Sequence, residues 1–190
     1  SKAAKHRDIP YVLDVRDRYP AVLFDLGVVS SGGLAGWTLR WMERSLYAGA
    51  RLVTTVTHGL TRDLKEVAGA GKVVKVINGF DGRAFTEENL RRPKREMFTV
   101  AYHGRLGRFY EVETLRRLVL ETKKLDAEIR FVLAGDLEEA RASGDWGGAE
   151  FLRELSLGRL AKLLAECHLG VCLLKETKAM RRALPAKVFD

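Results

Sequence analysis

Long apolar runs are missing from this 190-residue sequence. No stretch approaches the ~20 residues that cross a bilayer, and the N-terminal segment lacks the apolar centre of a secretory signal. A cytoplasmic location is expected. Cysteine is scarce as well: Cys167 and Cys172 flank the apolar run ECHLGVCLL. His168 lies between them, but the neighbourhood offers no further zinc ligands, so buried free thiols of a reducing compartment are expected. No Gly-Lys-Ser/Thr triplet and no third glycine of the dinucleotide fingerprint occur, which argues against a P-loop and against a Rossmann NAD site. An Asp-x-Asp pair is absent too; Asp14 and Asp17 are separated by two residues.

Charge of both signs is plentiful, at 31% of residues beside 46% hydrophobic ones. Such a chain is globular and long enough for one good core or two small ones. The formal net charge of +8 and pI near 9.7 imply anionic partners, with nucleic acid, anionic lipid headgroups and nucleotide phosphates as the options. A nucleic-acid binder exposes aromatics among its basic residues, whereas the aromatics here sit mostly in apolar periodic segments. Nucleic acid is therefore disfavoured.

The residues around which the chain is organised read FTVAYHGRLGRF, positions 98–109. A short β-prone run turns abruptly at His103-Gly104-Arg105-Leu106-Gly107-Arg108 before an amphipathic helix begins near Glu111. Two glycines let the backbone come close to a ligand, the helix start offers unpaired N–H groups, and two arginines supply forked positive charge. A phosphate or diphosphate fits that combination. A tightly packed turn with solvated arginines is the plainer alternative.

Around this turn, strands and helices alternate. Strands are expected at residues 9–15, 51–56, 72–77, 98–102, 129–134, 149–152 and 169–174. Helices are expected at about 37–48, from Thr57 as N-cap to about 68, at 111–125 and at 157–166. In the helix at 37–48, Trp37, Trp41, Ser45 and Ala48 share one face, and an aromatic face at this spacing is expected to be core. Residues 27–36 are a glycine-rich loop. Between 85 and 95 the pattern dissolves into charge, including Arg91-Arg92-Pro93-Lys94-Arg95, and a solvated linker is expected there. The fold class is thus α/β, with parallel sheets covered by helices.

The ordered set of segments LDVRDRYP, WMERSLYAGARLVTTVTHGLTRDL, KVVKVINGFD, AYHGRLGRFYEVETL, IRFVLAGD, LAKLLAECHLGVCLLKET and ALPAKVFD resembles the retaining GT-B glycosyltransferases of family four. It is most similar to bacterial members that build surface glycans, whose segments read like NGVD, AGNLG and ALPSKLFEY. The resemblance implies two Rossmann-like parallel-sheet units. Residues 1–94 correspond to the end of an acceptor-side N-terminal domain plus linker, and residues 95–190 to a donor-binding C-terminal domain. Both ends read as cut. The expectation is a fragment with an incomplete N-terminal unit and a C-terminal unit lacking its last elements, inactive alone and prone to self-association.

The implied activity is transfer of a sugar, with retention of configuration, from a nucleotide-sugar donor to a glycan or lipid-linked acceptor. The inner face of an anionic membrane is the implied setting, in polysaccharide biosynthesis. By the same resemblance, Gly104, Arg105, Gly107 and Arg108 match the turn that meets the donor diphosphate. Gly135 and Asp136 match the strand end beside the nucleoside, and Leu155 lies near the base. Pro185 and Lys187 precede the ribose-binding acid, on which Asp190 falls. Arg105 and Lys187 would supply the catalytic positive charge, and no metal or other cofactor is expected. The family favours glutamate at Asp190, in members with two glutamates separated by seven residues the first would fall at Arg182, and a lysine-glycine pair often found late in the turn is replaced by Tyr110-Glu111. A non-catalytic nucleotide-binding or nucleic-acid-binding module and a nucleotide-sugar epimerase of the same fold are the alternatives.

Overall fold

The alternation read from the sequence builds two separate parallel sheets. The structure, a computed structural model, describes residues 9–107, 109–178 and 180–190. The chain forms two compact units: Ser1–Asn78 with Glu176–Pro185, and Gly79–Lys175 with Ala186–Asp190.

In the first unit, strands β1 (Val12–Val15), β2 (Leu52–Thr55) and β3 (Val73–Lys75) lie in the order β1-β2-β3, all parallel. Helices α1 (Ala21–Asp25) and α2 (Leu34–Gly49) connect the first two strands, and α3 (His58–Ala68) connects the next. Val15, Tyr47, Val53, Leu60, Leu64 and Val73 form the core. Helix α3 starts where expected because Thr57 Oγ1 accepts the Leu60 N–H at 3.1 Å, satisfying one of the unpaired donors of the first turn. Gly69 ends it with φ +96°, a conformation that favours glycine. The returning segment is held to the same helix. Thr57 Oγ1 donates to the Arg182 carbonyl at 2.7 Å, and the Arg182 guanidinium pairs with the buried Asp63 carboxylate.

One expectation is overturned in α2. Its aromatic face is not core: Trp37 and Trp41 are 61% and 53% exposed, while Gly36, Glu43 and Tyr47 face inward. The inward polar group is satisfied, since Glu43 Oε1 accepts from Arg18 Nε at 3.2 Å and from the Tyr47 hydroxyl at 3.1 Å. Periodicity marks a helix face but does not say which face turns inward, and here a charged residue took the core because two donors meet it.

The second unit holds α4 (Glu87–Leu90), β4 (Thr99–His103), α5 (Val112–Leu125), β5 (Arg130–Ala134), α6 (Glu138–Ala142), β6 (Glu150–Leu152), α7 (Leu157–Glu166) and β7 (Leu169–Gly170). Its sheet runs β6-β5-β4-β7, again all parallel. The period-two alternation of the strands divides the core. Val100, Tyr102, Phe131 and Leu133 pack on Leu115 and Val119 of α5, whereas Ala101, Val132 and Ala134 pack on Leu163 near the end of α7. Strand β7 is shorter than the apolar run around it, because only Leu169 and Gly170 pair in register with β4.

The basic stretch before β4 is not simply solvated. Arg92 donates from Nε and Nη2 to Glu166 Oε1, at 2.8 and 2.5 Å, and Lys94 Nζ donates to the carbonyls of Ala165 and Cys167. Lys94 thereby meets the C-terminal carbonyls of α7, where the helix dipole favours positive charge, and Arg92 meets the carboxylate of its last residue. Cys167 is buried and Cys172 half-buried, both free, and burial pushes both thiols up. Among the described residues no helix is long and apolar enough to cross a membrane.

Candidate functional site

The strand order places the organising turn. From β4 the chain moves outward through β5 to β6, then α7 brings it back so that β7 pairs on the other side of β4. The order reverses at β4, and in open parallel sheets ligands bind outside the carboxyl ends of strands where such a reversal opens a crevice. The residues that follow His103 stand at that point.

Two glycines shape it. Gly104 has φ +91° and Gly135 φ +140°, both in the region that favours glycine. The Gly104 N–H donates to the Ala134 carbonyl at 2.8 Å, and a Cβ at Gly135 would meet the Gly104 carbonyl oxygen at 2.4 Å. The turns after β4 and β5 are therefore pressed together. The Leu106 N–H adds a bond of 3.3 Å to the Asp136 carbonyl. Here the glycines serve the approach of backbone to backbone. Beyond the turn, the N-cap residue Glu111 makes no side-chain capping bond among the described residues, which leaves first-turn N–H groups of α5 for solvent or an anion.

Lys187 comes to the same turn from the far end of the sequence. A Cβ on Gly104 would sit 3.1 Å from its Nζ. Nζ donates to the Tyr102 hydroxyl at 2.9 Å and lies 4.4 and 4.1 Å from the ring centroids of Tyr102 and Tyr110, within cation–π range. The Tyr102 hydroxyl in turn donates to the Arg105 carbonyl at 2.9 Å, so one tyrosine fixes both the lysine and the turn. Burial pushes the Lys187 pKa down to about 8, against the opposing pull of Cys172 and Asp190. Arg105 Nε lies 3.2 Å from Asp136 Oδ2, with both side chains largely exposed. Asp190 Oδ2 lies 3.5 Å from His103 Nε2, and burial chiefly holds the His103 pKa below its ordinary value.

Of the residues singled out in the sequence, Gly104, Arg105, Gly135, Asp136, Lys187 and Asp190 are thus assembled about one strand end. Gly107 lies beside the Arg105 side chain. Leu155 packs half-buried against the core on the α7 face. Pro185 belongs to the first unit, and Arg108 lies outside the described residues. Nothing in the sequence gives Tyr102, Tyr110 or His103 a binding role. Tyr102 and Tyr110 flank the lysine, yet Tyr102 reads as one more β-prone residue of a strand, and its hydroxyl becomes informative only once Lys187 is beside it.

No protein-family model and no curated protein matches the chain. Solved structures do. The chain is similar to Anabaena HepE in complex with UDP and glucose, with a TM-score of 0.58 at 15% identity over 88% of this chain and 47% of that one. It is similar to a variant of S. aureus TarM in complex with fondaparinux, alpha-GlcNAc-glycerol and UDP, with a TM-score of 0.55 at 11% identity over 88% and 32%. It is also similar to a glycosyltransferase from Rickettsia africae, with a TM-score of 0.50 at 14% identity over 90% and 53%. At such identities the likeness is one of fold, and that fold is two Rossmann-like units of GT-B architecture. The chain spans about half the length, or less, of these structures.

Proposed function

We propose that the chain is part of a retaining glycosyltransferase of GT-B family four, with the donor's diphosphate bound at the turn after β4. The observation that carries this is the meeting of a buried, tyrosine-held Lys187 with the Gly104-Arg105 turn at the reversal point of the sheet. The likeness in fold to proteins solved with UDP supports it.

In this reading residues 95–190 hold a nucleotide sugar and the preceding residues serve a glycan or lipid-linked acceptor, at the cytoplasmic face of a membrane in polysaccharide biosynthesis. During transfer the bond between the sugar's anomeric carbon and the diphosphate oxygen breaks with its electron pair leaving on the diphosphate. The acceptor hydroxyl oxygen bonds to the same face and gives its proton to the departing diphosphate oxygen. Negative charge therefore grows on the leaving group, and positive charge already fixed beside it lowers the barrier. Arg105 offers an exposed fork of donors and Lys187 a preorganised ammonium. With these cations and the uncapped start of α5, the diphosphate is neutralised without a divalent metal. Asp190, backed by His103, is assigned to the ribose, and Gly135-Asp136 with Leu155 to the nucleoside side.

A thermal-shift comparison tests the reading, because a ligand bound only by the native state raises apparent stability. Nucleoside diphosphates are expected to raise the melting temperature while plain nucleosides do not. No shift with any nucleoside diphosphate would overturn it.

A further inference from the structure

We propose that the first unit carries an anion site of its own, for a compact phosphate or carboxylate group, in the cavity at the carboxyl ends of β2 and β3. The cavity holds about 250 Å³. His58 and Gly59 line it after β2, Lys75 and Ile77 at the end of β3, and the returning residues 181–184 on the other side. All of these belong to the first unit. In open parallel sheets this end of the strands is where ligands bind.

Its charge selects the ligand. Four basic side chains, His58, Lys75, Arg181 and Arg182, line the cavity, and among the described residues no carboxylate does. Arg182 is spent on buried Asp63, while Arg181 pairs with Glu176 in an exposed, solvent-screened contact that an anion can displace. The other two meet each other, with Lys75 Nζ 2.8 Å from His58 Nε2. The ammonium donates there to the lone pair of a neutral imidazole, so the pair holds one positive charge; a protonated ring would set two charges side by side. An oxyanion seated between them accepts from both and relieves that repulsion. Packing holds the cluster in place. The Thr57 hydroxyl is bonded to the Arg182 carbonyl, and a Cβ on Gly59 would lie 3.1 Å from Arg182 Cγ, so the returning segment lies directly on the start of α3. A neutral polyol, in contrast, finds no carboxylate to accept its hydroxyls. If this unit serves the acceptor, the site suits an acceptor bearing an acidic group; that extension rests on the proposed function, whereas the site itself does not.

The test follows the histidine Cε1–H resonances of the chain by NMR at neutral pH and constant chloride, during titration with glycerol 3-phosphate, glucuronate or glucose. The His58 signal is assigned by its loss in His58→Gln. His103 stands at the turn after β4, so its signal reports that turn separately. Expected is a saturable shift of His58 with an anion and none with glucose. Lys75→Met should weaken the anion about tenfold, and Lys75→Arg, which keeps the charge, should retain it, with circular dichroism unchanged in both. Saturation by glycerol 3-phosphate alone assigns the site to phosphate esters, and saturation by glucuronate extends it to carboxylates. No saturable His58 shift with either anion, an equal response to glucose, or equal affinity in Lys75→Met would overturn the proposal. A shift of His103 alone would overturn it too, while leaving the diphosphate reading of the second unit standing.

Discussion

A Cβ on Gly135 would lie 2.4 Å from the Gly104 carbonyl oxygen, so two turns from different strands leave no room for a side chain between them. Gly148 also has a positive φ, +76°, but nothing within 4 Å of its Cβ position. Gly135→Ala therefore carries a clash with backbone as well as the conformational cost, and Gly148→Ala only the latter. Gly148→Ala should cost about 1 kcal/mol, and Gly135→Ala about 2 kcal/mol or more, because backbone cannot move aside as a side chain can. Urea unfolding of both variants checks this. Equal losses would mean that the two turns are not in contact.

At the proposed diphosphate site the Lys187 ammonium predicts a pH dependence of binding. Its pKa of about 8 in the folded chain means that the positive charge is present at neutral pH and lost above that value. Affinity for a nucleoside diphosphate should fall as pH rises from about 7 to about 9, a range in which the terminal phosphate is already ionised. Lys187→Met should bind weakly throughout with a flat profile. Stability moves the other way. The folded pKa lies below the ordinary 10.5, so the unfolded chain binds more protons between about pH 8 and 10.5. The Lys187 contribution to stability thus rises with pH across that window. Calorimetric titrations and urea midpoints over the same range read both slopes.

Thr57 has two tasks in one hydroxyl, accepting the Leu60 N–H and donating to the Arg182 carbonyl. Thr57→Ala should destabilise the first unit by about 1–2 kcal/mol, whereas Thr57→Ser keeps the oxygen and most of the stability. If the serine variant were as unstable as the alanine one, the methyl group and not the cap would be responsible.

Much of the fold was legible because its signals are local. Thr57 before an amphipathic run announces a helix start, and β-prone runs between helical patterns announce parallel strands. The turn at Gly104 stood out for the same reason. What stayed hidden depends on partners distant in sequence. Nothing near Trp37 says that Glu43 would turn inward to meet Arg18 and Tyr47. Nothing near Arg92 announces Glu166, 74 residues away. Lys187 is visible as a cation, but its lowered pKa comes from burial beside Tyr102 and Tyr110, which only folding creates. The short helices α1, α4 and α6 escaped because four or five residues span little more than one turn, too few for an apolar pattern to repeat.

The most direct measurement is calorimetric titration of UDP into the wild-type chain, Arg105→Ala and Lys187→Met, each with magnesium and with excess chelator. Arg105 is exposed and, among the described residues, pairs with exposed Asp136, so its removal should leave stability within about 0.5 kcal/mol. Losing its charge-assisted phosphate contact should nonetheless cost about 1.5–3 kcal/mol of binding. The account predicts wild-type binding that survives chelation and a weakening of roughly tenfold or more in each variant. Equal affinity in all three proteins, or loss of wild-type binding under chelator, would contradict it.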